Sequence, residues 1–147
     1  MATPTVVAKW RSLGPELLSV LRIVCAFMFM QEGTMKLFGW PMAMPNGMTL
    51  TLASQVGVGG ILEFVGGLLL LVGLFTRPVA FILAGEMAVA YFQFHFPQAF
   101  WPLVNQGQPA VLYCFIWLYL SSAGPGPWSL DAIMTKGQRR AHAGTGV

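Results

Sequence analysis

The chain has 147 residues and a mass of 16.0 kDa, enough for one domain and too little for two independently packed cores. Hydrophobic residues make up 56% and charged residues 9%, against about 25% charged in a soluble domain, and the mean hydropathy is +0.67, so disorder and a water-soluble globule are excluded. The formal charge of +3 is scattered along the chain rather than gathered on one face, which argues against a nucleic-acid partner.

The expected partner is the lipid bilayer, and four segments approach the roughly 20 apolar residues that a crossing needs. The first spans about 17–38, with Pro15 and Glu16 suited to a helix start and Gly39, Trp40 and Pro41 closing it. Lys9 and Arg11 precede it, but Arg22 interrupts its apolar run and no small-residue cleavage site follows, so it reads as a retained span rather than a signal peptide. A loop rich in breakers, with Pro41, Pro45, Asn46 and Gly47, leads to a second span over about 53–75. Thr76, Arg77 and Pro78 make a very short connection, so the second and third spans form a tight antiparallel hairpin.

The third span covers about 78–96 and stops before Pro97. A second aromatic loop carries Trp101, Pro102, Asn105 and Gly107, and the fourth span covers about 109–123. No Asp, Glu, Lys or Arg occurs between Met87 and Leu130. Gly124, Pro125, Gly126 and Pro127 end the last span, and the basic tail of 132–147 is expected to fray from Lys136 onward. There is no internal repeat.

The fold class expected is all-α, a single integral membrane four-helix bundle. Basic residues fall before the first span (Lys9, Arg11), between the second and third (Arg77) and in the tail (Lys136, Arg139, Arg140), and the other two loops carry none. Four spans place all three basic regions on one side, so both termini are expected in the cytoplasm of a bacterial inner membrane. Trp40 and Trp101 then mark the outer interface, and Trp10 and Trp128 the inner one.

Ionisable groups at membrane depth cost about 2.5–3.5 kcal/mol each on the insertion scale, so Arg22, Glu32, Lys36, Glu63, Glu86 and His95 need partners or a function. Glu32 and Lys36 stand four apart with the acid N-terminal, the favourable order for a pair on one helical face. With Arg22 they fall in an arc of about 80°. On the second span, Gly59, Glu63 and Gly67 share one side, a small-residue surface that lets another helix approach and gives Glu63 a route to a donor such as Lys36. Glu86, Ala90 and Gln93 share a face of the third span, with His95 opposite Glu86 near the outer interface.

Two readings of the cluster stay open: register-setting charge pairs, or a site. Arg22 either joins that site as a structural charge or reaches toward the cytoplasmic face. The methionines Met28, Met30, Met35 and Met42 suit packing rather than copper. Cys25 and Cys114 show no metal or disulfide pattern, and a single histidine near the membrane does not suit haem.

Arg22 followed by Glu32-Gly33-Thr34-Met35-Lys36-Leu37-Phe38-Gly39 resembles the first-helix signature of the DoxX family. Glu63 with Gly66-Gly67-Leu68-Leu69-Leu70-Leu71 and Gly73-Leu74 resembles its second helix, Thr76-Arg77 its short turn, and Gly124-x-Gly126-x-x-Ser129-Leu130-Asp131 its exit from the fourth helix. Members commonly carry an acid in an N-G-G-E-like element, where this chain reads Asn105-Gln106-Gly107-Gln108. The resemblance implies a four-helix membrane protein related to DoxD, a membrane subunit of a thiosulfate:quinone oxidoreductase. The expected function is a small subunit tied to respiratory or thiol redox chemistry, with a polar outer-half pocket for a quinone-like small molecule and a redox partner protein. Lys36 and Gln108 would donate to a carbonyl, Glu32 and Glu63 would relay protons, and His95 would link the site to the outer face, with Glu86 as a further ligand-binding or proton-handling group. The alternatives are an accessory or assembly subunit of a larger membrane complex and a small-solute carrier.

Overall fold

The computed structural model describes residues 5–44 and 51–144, with side chains as far as Arg139; Pro45, Asn46 and Gly47 of the first loop lie outside the described residues. Within them the chain is all helical. The order is α1 (Val6–Ser12), α2 (Gly14–Phe38), α3 (Gln55–Val72), α4 (Thr76–Ala90), a π-helical turn (Tyr91–His95) that continues α4, α5 (Gln108–Ala123) and α6 (Leu130–Gly144).

By length and composition, α2 and α3 suffice to cross a membrane. The 15 residues of α4 approach that length only through the five-residue π turn, and α5 has 16. Local chemistry accounts for the ends. Gly39 and Gly73 stop α2 and α3 with φ of 64° and 69°, left-handed backbone that glycine adopts without penalty. Ser54 caps α3 by accepting from the Gly57 amide at 3.1 Å, which places the helix start two residues later than the sequence suggests.

Two segments depart from expectation. A short helix, α1, precedes α2, capped by the Thr5 hydroxyl. The tail is helical to Gly144 rather than frayed. Ser129 Oγ accepts from the Ala132 amide at 3.1 Å and Asp131 sits in the first turn, so the start of α6 is satisfied by a cap and an acid.

α2 packs against α3 and α4 against α5, with α3 and α4 joining the two pairs. Glycines set these distances. A Cβ on Gly33 would stand 2.5 Å from the Phe64 backbone nitrogen, and one on Gly67 would stand 3.0 Å from Met30 Cβ. Gly66 turns the other way, toward Leu83 of α4. The glycines of α3 therefore serve two neighbours rather than one stripe, Gly60 and Gly67 facing α2 while Gly59 and Gly66 face α4. The buried core is small, built on Ala26, Phe29, Leu70, Leu83, Trp117 and Leu120. Large apolar side chains such as Phe27, Val65, Phe81 and Phe115 cover the outside of the helices.

The end of the bundle that carries α1 and α6 is tied by Arg22. Its guanidinium is fully buried and donates to the carbonyls of Leu70 and Leu71 at 2.5 and 2.9 Å, of Pro125 at 2.8 Å and of Trp128 at 2.5 Å. It is turned inward and satisfies the last carbonyls of α3 and the chain leaving α5. Close by, the Asp131 carboxylate accepts from the Phe75 and Thr76 amides, both at 2.9 Å, and so caps α4 from 55 residues away. Arg77 donates to the Ser121 and Ser122 carbonyls at the end of α5.

Candidate functional site

At the opposite end, a cavity of about 730 Å³ opens among α2, α3, α4 with its π turn, and the start of α5. Glu32, Lys36, Glu63, Glu86 and His95 all line it. Its remaining wall is mostly apolar and aromatic, including Phe29, Met87, Phe94 and Tyr113.

Glu63 is the most buried of these groups, with its side chain 3% exposed. Lys36 Nζ donates to both of its carboxylate oxygens, at 2.5 and 2.6 Å. Close helix approach makes this reach possible, since a Cβ on Gly60 would stand only 3.0 Å from Lys36 Cβ. Lys36 therefore pairs across to α3 and not along α2, and Glu32 is left exposed at the cavity wall. The physical reason is desolvation. A buried carboxylate without a counter-charge is far costlier than an exposed one, so the single ammonium goes to Glu63.

Glu86 comes from α4 and lies against α3, its Oε1 3.3 Å from where a Cβ on Gly59 would stand. Its other oxygen, Oε2, is buried and has no hydrogen-bond partner among the described residues. Ideal α-helical spacing puts His95 on the face opposite Glu86. The π turn over Tyr91–His95 is wound more widely, turns less per residue and returns His95 to the same cavity. There His95 Nδ1 lies 3.0 Å from the Asn105 carbonyl oxygen.

Asn105 is itself fixed, 2% exposed, donating from Nδ2 to the Ala99 carbonyl at 2.8 Å and accepting at Oδ1 from the Gly107 amide at 2.8 Å. The following residue, Gln106, has φ of 58° and lines the cavity, whereas Gln108 is exposed and is not part of the lining. Gln55 Nε2 donates to Gln93 Oε1 across the gap between α3 and the π turn.

Arg22 belongs to the other end of the bundle and to no part of this cavity. Three lining groups had no signal in the charge pattern: Gln55, Gln106 and Tyr113. Only Tyr113 left a trace, its four-residue spacing from Trp117, on which it stacks with ring centroids 5.6 Å apart. Among the described residues no group of three His, Cys, Asp or Glu side chains is placed to hold a metal ion, and Cys25 and Cys114 are free thiols.

A helical protein that turns apolar side chains outward and encloses one ion-paired polar cavity belongs to the class of small membrane proteins. The DoxX family model matches residues 17–96, more than half of the chain, and the chain belongs to the DoxX family. An uncharacterized protein of Haemophilus influenzae is 42% identical over 120 residues, covering 80% of this chain and 90% of the relative. No solved structure matches. The cavity residues Glu32, Lys36, Glu63, Glu86 and His95 all lie within the segment matched by the family.

Proposed function

We propose that this protein is a small multi-pass subunit of the bacterial cytoplasmic membrane whose outer-half cavity takes a quinone-like molecule, in association with a partner carrying respiratory or thiol redox chemistry. The observation that carries the reading is the cavity itself. Small-molecule sites have volumes of about 300–1,000 Å³, apolar walls and a few convergent polar groups, and this one offers about 730 Å³ with ionisable side chains from three elements. Setting helix register would need one ion pair, which Lys36 and Glu63 already provide. Glu32, Glu86 and His95 are then surplus to packing, and intramembrane ionisable groups without a packing role mark functional sites. Phe29, Phe94 and Tyr113 supply the flat apolar surfaces on which a planar ring would lie.

The test is binding of a benzoquinone with a ten-carbon tail to the purified protein in lipid nanodiscs. The wild type should bind it, Glu63→Gln should weaken binding, and Gln108→Leu, outside the cavity, should leave it unchanged. If the wild type binds no such ring and instead co-purifies with a large membrane complex, the accessory-subunit reading replaces this one.

A further inference from the structure

Resting on that reading, the polar groups of the cavity discriminate between the two redox forms of such a ring. A quinone carbonyl only accepts hydrogen bonds, whereas a hydroquinone hydroxyl both donates and accepts them. Donors at the wall, namely the third N–H of Lys36 beyond the two on Glu63, the Gln106 amide and the Tyr113 hydroxyl, therefore serve either form.

Acceptors serve only the reduced form. His95 Nδ1 faces a backbone carbonyl oxygen at 3.0 Å, and a carbonyl only accepts, so the neutral ring carries its proton on Nδ1. Nε2 is then a bare acceptor. The Asn105 hydrogen bonds to Ala99 and Gly107 hold that carbonyl in place, so the tautomer is built into the loop. The exposed Glu32 carboxylate stands at the same wall as a second acceptor.

We propose that the cavity selects the reduced, hydroquinone form, with His95 Nε2 as the directed acceptor for one of its hydroxyl groups.

The experiment compares, under anaerobic conditions in nanodiscs, binding of a ten-carbon-tailed benzohydroquinone and of its benzoquinone. The hydroquinone should bind about tenfold more tightly, as one added hydrogen bond to a buried or charged acceptor gives. His95→Asn should reduce that preference several-fold with little effect on the quinone, because the amide nitrogen keeps the donor toward Asn105 while Nε2 is lost, whereas His95→Gln, whose side-chain oxygen can stand where Nε2 did, should keep part of it. Equal binding of the two forms, or tighter binding of the quinone, overturns this inference and leaves the ring-binding site standing. Binding of neither form overturns the site itself, and tighter binding of decylammonium than of either ring assigns the acceptors to a cation instead.

Discussion

Lys36 and Glu63 illustrate what a single pair of charges can do between two membrane helices. Each group alone would be a stranded ion, and breaking such a pair on one side costs about 3–5 kcal/mol, whereas replacing both partners by apolar groups of similar volume is often close to neutral. Lys36→Met and Glu63→Leu should therefore each lower the thermal stability of the detergent-solubilised protein sharply. The double variant should be more stable than either single one. Destabilisation by the double variant equal to the sum of the two singles would contradict direct pairing. The sequence places Glu32 and Lys36 four residues apart, and that spacing favours a pair along α2. It leaves open the rotation of α2 about its axis, which is set by Gly33 and Gly60 where the two backbones meet.

The ends of the helices carry the second level of organisation. Arg22, Arg77 and Asp131 each satisfy backbone groups of an element far away in sequence, and the turn after α3 is shaped to let them in. A Cβ on Gly73 would stand 2.4 Å from Ser129 Cβ and 2.8 Å from Arg22 Nη1, and one on Gly126 would meet Ser19 Oγ. These contacts give a physical reason for the glycines, serine and acid in the segment after the fourth span, whose spacing the sequence displays without explaining.

Replacing Arg22 by Met strands four carbonyls in a buried place at about 1–3 kcal/mol for each one left unpaired, so the variant should lose several kcal/mol of stability. Arg22→Lys should recover only part of this, because a compact ammonium with three donors cannot reach four carbonyls arranged around a planar fork. A melting series in one detergent measures both, and full recovery by lysine would mean that charge alone matters there.

At this scale the sequence was legible where apolar runs meet glycine and proline, which gave the helix bounds to within a few residues. It was opaque where caps come from distant residues, as for α4, capped by Asp131, and where the winding changes, as at Tyr91–His95. That π turn is what moves His95 from the far face into the cavity.

For the whole molecule, the distribution of exposed groups carries the argument about orientation. Large apolar side chains cover the helices from Leu17 to Phe115, the inverse of a soluble globule and the expected surface for lipid. Lys9, Arg11, Arg77, Lys136 and Arg139 all belong to the end with α1 and α6, and an excess of Lys and Arg in short loops marks the cytoplasmic side. Trp10 and Trp128 are exposed at that end, and Trp40 and Trp101 at the other, the places that aromatic belts would occupy in a bundle spanning with both termini in the cytoplasm.

The probe positions follow from the structure. Asn105 is unsuitable for labelling, because it is buried and holds the loop beneath His95, whereas Leu103 is 73% exposed. In a background with Cys25 and Cys114 replaced by alanine, Leu103→Cys should react with an impermeant maleimide in intact cells, and Lys136→Cys only after permeabilisation. The reverse pattern would put the mouth of the cavity on the cytoplasmic side. A ring bound there would then exchange with redox partners in the cytoplasm, and the outer-half placement of the site would fall while its chemistry, set by Glu63, Glu86 and His95, would not.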